Sequence, residues 1–477
     1  MRLTGTAPRG WVVVNVLLGT LTVSLNNSSL NPALPAFMDV FEIGPLLATW
    51  IVAAFMVSMG MTMPLTSFLS QRVGRKRLYL CGVALFIGGS LLGAMATSIA
   101  LVIAARVVQG IASGLMIPLS LAIIFSVYAK GERGRVIGLW GAAVMLAPAL
   151  GPLCGSLLLE WFSWRSLFLM NVPIGVLALV LGIGVLPSGE ATERKPFDLA
   201  GYLLIATGIG LLMIAVGRLR HAQALSDPLN LGMLLAAILC LVAFVQLELR
   251  RAAPLLNLRI FALRGYRLSV IIAVVQSVGM FECLVLLPLL VQLVLGYSAI
   301  WTGLVLLGTA VLASLFGHVG GKWLDRHGPR GVVSCGLLLT GGATLVLGLL
   351  GAQASIGLVF VLMMVRGAGL GLSYMPATTA GLNSLPETLV IQGAAMNNIS
   401  RRLVASLAIV IASLWLEFRL AAEVGNGTHQ AGTLTAISEV FIATGILILL
   451  ALPCAWRFPG LACDEPEEAL LKAIKHP

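Results

Sequence analysis

Charge is what this sequence of 477 residues has least of: 10% of its positions are charged, and only 19 are acidic. That scarcity excludes a soluble enzyme of this length, in which about a quarter of the residues would carry charge. Metal chemistry is thinly supplied as well. Five histidines and seven cysteines (Cys81, Cys154, Cys240, Cys283, Cys335, Cys454 and Cys463) show neither a CxxC nor a Cys/His ligand spacing, so no metal site and no disulfide framework are expected. There is no GxxxxGK[ST] phosphate loop, which removes ATP as an energy source, and no convergent nucleophile set, which removes an enzyme. No cofactor is expected.

What fills the sequence instead is hydrophobicity: 59% of the residues are hydrophobic and the mean hydropathy is +1.01. Apolar runs long enough to span a bilayer, about 20 residues per helix, recur along the whole length. Breaking the chain at charged and Pro/Gly-rich junctions predicts fourteen spans, near 11–36, 46–69, 78–97, 99–126, 136–158, 165–187, 199–217, 229–249, 268–294, 299–324, 331–350, 355–378, 391–416 and 434–456. The expected fold class is an all-α integral membrane protein with membrane lipids as its solvent. Arg2 and Arg9 precede the first apolar segment as in a leader, but that segment is long, rich in Asn and followed by many others, so it reads as an uncleaved helix.

The net charge of +11 does not indicate nucleic acid, because the basic residues lie between spans and not in one patch. With the N-terminus inside, 22 of the 30 Lys/Arg fall in cytoplasmic segments, which puts both termini in the cytoplasm. The largest basic cluster, Arg250, Arg251, Arg259, Arg264 and Arg267, surrounds PLLNLRIFALRGYR and suits an amphipathic helix along the inner face, a linker over 250–267.

Two loops resemble each other at an offset of about 254 residues: SFLSQRVGRKR from Ser67 and GKWLDRHGPR from Gly321. Gln109-Gly110 and Arg366-Gly367 repeat at nearly the same offset. The expected organisation is a six-helix bundle over 1–187, two inserted helices over 199–249, the linker, a second six-helix bundle over 268–456, and a cytoplasmic tail over 457–477. Such duplication favours a transporter.

Gly321, Asp325, Arg326, Gly328 and Arg330 match G-x-x-x-D-R-x-G-x-R, and on them the chain resembles the major facilitator superfamily. The first loop keeps Arg72, Gly74, Arg75 and Lys76 of that pattern but has Ser67 and Gln71 where the family has Gly and Asp. RVVQGIASG, with Arg106 and Gln109, resembles the R-x-x-Q-G motif; APALGPLCGS, with Gly151, Pro152 and Gly155, resembles the antiporter motif; WRSLFLMNVPIG, from Trp164, resembles the sixth-helix signature of drug:proton antiporters. The fourteen spans are similar to the fourteen-helix branch of that group. The resemblance implies the major facilitator fold, a small-molecule substrate, protons as the coupling ion, and export of lipophilic, drug-like compounds from a bacterial cytoplasmic membrane; partnership with a periplasmic adaptor stays open. Export of an endogenous metabolite, siderophore or lipid, and a receptor that binds without transport, are the alternatives.

Within the spans, Glu282 is the one acid placed deep in an apolar run, which makes it the expected proton-coupling residue. Glu160, Glu248 and Glu439 fall near span ends. Asn26 stands where the family usually has an Asp, and Asn31 matches the family Asn; since asparagine does not titrate, coupling through a first-helix acid is excluded. Asn26, Asn27, Asn31, Arg106, Gln109, Phe281, Tyr374 and Arg401 are expected along the substrate pathway, and Arg72, Gly74, Arg75, Gly321, Asp325, Arg326 and Arg330 at an inner gate. Arg402 points about 100° from Arg401 and is expected to snorkel or to touch a neighbouring helix. Arg366 is expected to meet Glu282 or Arg401 only if the fold brings their spans together.

Overall fold

The computed structural model describes residues 9–128, 150–187, 198–218, 227–251, 254, 256, 258–422 and 429–458, and among them the chain is helical, with no strand. Thirteen of its helical segments are long and apolar enough to cross a membrane. The span expected at 136–158 lies largely outside the described residues; its last part belongs to a helix over 150–161.

The chain divides into two compact units, Met1–Ile43 with Trp50–Phe197, and Gly44–Thr49 with Asp198–Pro477. The first contains α1 (Arg9–Ser29), α2 (Leu34–Val40), most of α3 (Pro45–Val73), α4 (Arg75–Ala94), α5 (Ile99–Val127), α6 (150–161), α7 (Ser166–Leu169) and α8 (Asn171–Val185). Pro32 and Pro35 lack the N–H that would continue α1, so the chain passes through a 3-10 turn at Asn31–Ala33 before α2 resumes. Trp164 then packs against Phe37, 5.2 Å away centroid to centroid, and with Phe41 and Phe168 builds an aromatic cluster around Leu30 and Ile51.

The second unit contains α9 (Leu199–Gly217), α10 (Pro228–Arg250), α11 (Arg264–Pro288) with a π turn to Val294, α12 (Ala299–His327), α13 (Pro329–Gly348), α14 (Ile356–Asn383), α15 (Glu387–Ala422), α16 (His429–Leu449) and α17 (Leu452–Trp456). The inserted pair α9 and α10 does not stand alone: Leu204, Ile205 and Phe244 share a core with Met396, Ile399 and Leu403 of α15. The linker differs from its expected form. Its described part is a short 3-10 helix, Leu258–Ala262, and residues 264–267 already belong to α11. Polar contacts fold it back on the inserted pair. Glu248 Oε2 accepts from Leu256 N at 2.9 Å, and Asp198, which caps α9 through Gly201 N at 2.8 Å, pairs with Arg251 at 2.5 Å. The tail beyond residue 458 lies outside the described residues.

The repeat is visible in element lengths and in contacts. α3 and α12 are each 29 residues long, α4 and α13 each 20, and each pair is joined by a glycine in the left-handed region, Gly74 (φ 89°) and Gly328 (φ 78°), 254 residues apart. A Cβ on Gly110 of α5 would stand 2.6 Å from Phe55 O, and one on Gly367 of α14 2.2 Å from Thr309 O; Phe55 and Thr309 are again 254 apart. Gly114 against Met59 O (2.7 Å) and Gly371 against Ala313 O (2.4 Å) repeat the relation one turn on. In both halves a small-residue stripe lets two helix backbones touch.

Candidate functional site

In the first unit the buried charge is Arg106, on the face of α5 that α1, α3 and α4 surround. It is fully buried. Its Nε donates to Ile51 O at 2.9 Å, its Nη1 to Gln109 Oε1 at 2.9 Å and to Asn26 Oδ1, and its guanidinium lies 4.1 Å over the Phe55 ring. Gln109 passes the network on to Ser90 Oγ at 2.9 Å. Every partner is neutral. Asn26 therefore occupies the place of a counterion without supplying charge, and the site keeps one positive charge that no described acid offsets. Asn31 is buried and donates to Ser28 O at 3.1 Å, whereas Asn27 is half-buried; Asn26 Nδ2, Asn27 Oδ1 and Asn31 Oδ1 have no hydrogen-bond partner among the described residues. Unsatisfied amide atoms inside an apolar bundle are costly, and they leave α1 with a polar seam.

In the second unit the fold does bring Arg366 to Glu282. Glu282 is 8% exposed and its Oε2 accepts from Thr444 Oγ1 of α16. Arg366, 1% exposed, donates from Nη2 to Gly279 O at 2.5 Å, one turn before Glu282, and from Nε to Thr344 Oγ1 at 3.1 Å. It stands within electrostatic reach of Glu282 without forming a direct ion pair. The two halves correspond here too. Gln109 and Arg366 hold equivalent places, and so do their partners Ser90 and Thr344, 254 residues apart. Phe281 is buried beside Glu282.

Arg401 does not join that cluster. Its guanidinium lies 4.8 Å over the half-buried Tyr374 ring, and Nη2 donates to Asn398 Oδ1 at 2.7 Å. Arg402 is half-buried, and its Nε and Nη1 are enclosed without a hydrogen-bond partner among the described residues.

At the expected inner gate, Arg72 lies over Phe68 at 4.4 Å, Arg75 is exposed, and Gly74 makes the turn already described. Asp325 and Arg326 are exposed at the end of α12 with no ion pair among the described residues, a Cβ on Gly321 would meet open space, and Arg330 Nε donates to Phe458 O at 2.8 Å. In α6, Cβ atoms on Gly151 and Gly155 would stand 1.9 Å from Ser28 Oγ and 2.0 Å from Ser29 O, so α6 approaches α1 at the pair of glycines flanking Pro152.

Three residues that sequence reasoning missed complete these networks: Ser90, Thr344 and Thr444. Ser90 and Thr344 could have been found by applying the 254-residue offset to polar positions; Thr444 carries no signal beyond being a hydroxyl in an apolar run. Glu248 is also a correction: although it ends α10, it is 0% exposed, so Glu282 is not the only buried acid.

Residues 16–409 match the family described as the Major Facilitator Superfamily. Over 450 residues the chain is 27% identical to the lincomycin resistance protein LmrB of Listeria monocytogenes, covering 93% of this chain and 95% of that one. It is 27% identical over 409 residues to the probable multidrug resistance protein EmrY of Escherichia coli, covering 85% and 80%. Among solved structures, a bacterial homologue of the human lysosomal transporter Spinster superposes with a TM-score of 0.69 at 13% identity, covering 98% of this chain and 99% of that one.

Proposed function

The chain belongs to the major facilitator superfamily, and we propose that it is a proton-coupled transporter of the fourteen-helix drug:proton antiporter branch, exporting lipophilic, drug-like molecules from the bacterial cytoplasm by alternating access. The observation that carries this reading is Glu282: a carboxylate enclosed in a candidate membrane-spanning helix, held by a hydroxyl and within electrostatic reach of Arg366. An ionised Glu282 attracts Arg366 and so draws α11 and α14 together; a protonated one does not. Proton loading thereby changes the relative energies of two helix arrangements, which is what a coupled cycle requires. Asn26 leaves the first unit with a fixed charge at Arg106, so the cycle has one titrating acid on this path. Two relatives named for lincomycin resistance and for multidrug resistance support drug-like cargo. In this reading both termini are cytoplasmic, Asp325, Arg326 and Arg330 belong to the inner gate, and the Gly151/Gly155 contact is a seam on which α6 and α1 move.

The test is gradient-driven transport in proteoliposomes, using a panel of fluorescent lipophilic compounds that are cationic, neutral or anionic. An imposed pH gradient drives uptake of at least one compound by the native protein, and Glu282→Gln abolishes the response to the gradient while retaining exchange of cargo down its own gradient. Indifference of the native protein to the gradient across the panel refutes proton antiport.

A further inference from the structure

Charge inside the helices of the second unit does not balance. Arg366 has Glu282 within electrostatic reach, and Arg251 has Asp198. Arg401 and Arg402, adjacent on α15, have no acid: no described carboxylate pairs with either, and they lie within electrostatic reach of each other. Their donors are also unspent. Arg401 Nε, Arg402 Nε and Arg402 Nη1 are enclosed without hydrogen-bond partners among the described residues, and the neighbouring Asn397, 4% exposed, has an unpartnered Oδ1. Two like charges half-buried within a helix long and apolar enough to cross a membrane, each with idle N–H groups, are a costly arrangement in the absence of an anion.

Resting on the export reading above, we infer that Arg401 forms an anion subsite that receives the carboxylate of an amphipathic substrate, with Arg402, about 100° round the helix, adding charge and not a second prong. A carboxylate presents two oxygens with the spacing of a guanidinium fork and would quench the repulsion between the two arginines as it docks. The surroundings suit the rest of such a molecule. The Tyr374 ring underlies Arg401 and offers a flat apolar surface to the rest of such a molecule. Arg106 repeats the electrostatic preference in the first unit, a buried cation with only neutral partners. A phospholipid headgroup would offer similar chemistry, so the experiment separates bilayer lipid from cargo.

The test is equilibrium binding of dansyl-labelled undecanoate, its methyl ester, and the amine with the same tail to the full chain in uncharged detergent. Variants are Arg401→Gln, Arg402→Gln and the charge-keeping Arg401→Lys and Arg402→Lys, each checked for monodispersity. The native protein binds the carboxylate about tenfold or more tightly than the ester, the value of one charge-assisted contact. Each Gln variant falls toward the affinity for the ester, and each Lys variant retains part of the difference. Equal binding of acid and ester, or Gln variants that bind like the native protein, overturns the subsite. Displacement of the carboxylate by phosphatidylglycerol at equal mole fraction, with no displacement by phosphatidylcholine, assigns the site to lipid and overturns the cargo role. Failure of export is separable: if the carboxylate binds through the two arginines but no compound responds to a pH gradient, the subsite stands and the antiport reading falls. If the amine or ester is exported through Glu282 while the acid is ignored, the reverse holds.

Discussion

Replacing Arg106 with Met separates a side chain kept for packing from one kept for transport, because the two roles differ in free energy. The substitution removes three hydrogen bonds, to Ile51 O, Asn26 Oδ1 and Gln109 Oε1. Inside membranes such bonds average about 0.6 kcal/mol and reach about 1.7, so the three contribute about 2–5 kcal/mol. The guanidinium over Phe55 adds about 0.5–2 kcal/mol. Against this, removing an arginine from bilayer depth relieves about 2.5–3.5 kcal/mol on insertion scales. The opposing sums offset in large part, and the variant is expected to be destabilised by no more than about 4.5 kcal/mol while transport falls by more than about tenfold. Thermal unfolding in detergent, followed by size-exclusion fluorescence, reads the first quantity, and the proteoliposome assay reads the second. A variant that unfolds at once in detergent, or one that transports at the native rate, refutes the reasoning.

Alanine at Gly367 drives a methyl group into the backbone oxygen of Thr309, whereas at Gly110 the nearest atom is the Ser58 hydroxyl, with Phe55 O somewhat farther away. Gly367→Ala is therefore expected to cost about 1–3 kcal/mol or more, and more than Gly110→Ala, in thermal unfolding of the two variants side by side; the opposite order would count against the contacts described. Asp198→Ala loses a helix cap and an ion pair and is expected to cost about 1–2 kcal/mol. Asp198→Asn keeps the cap and loses the pair with a partly exposed Arg251, so it costs less than about 1 kcal/mol, measured as a shift in unfolding temperature.

The spans were legible because lipid imposes the same demand on every helix, and the duplication because its two loops kept enough residues to align. Helix ends were less legible. α15 runs from Glu387 to Ala422 while its apolar run covers only 391–416, since helices continue into polar surroundings where hydropathy stops marking them. Arg106 and Glu282 could be singled out by the cost of their burial. Their partners could not: Asn26 reaches Arg106 across 80 positions and Thr444 reaches Glu282 across 162, and nothing in either local sequence encodes the meeting. Glu248 misled for a related reason. A carboxylate at a span end reads as solvated, but here the linker turns back and Leu256 N covers it.

The correspondence between Gln109 and Arg366 has a consequence for the descent of the chain. Counting back three positions from each, the first half has Arg106 where the second has Met363, whose sulfur lies 3.6 Å from that of Cys283. Each half thus owns one arginine on the same helix face, seated one turn apart, with a neutral residue in the other seat. The two halves differ in where a single charge sits on a shared scaffold. A chimera assembled from two first halves would inherit the glycine seams and the turns, and would have no buried acid among the described residues of either copy.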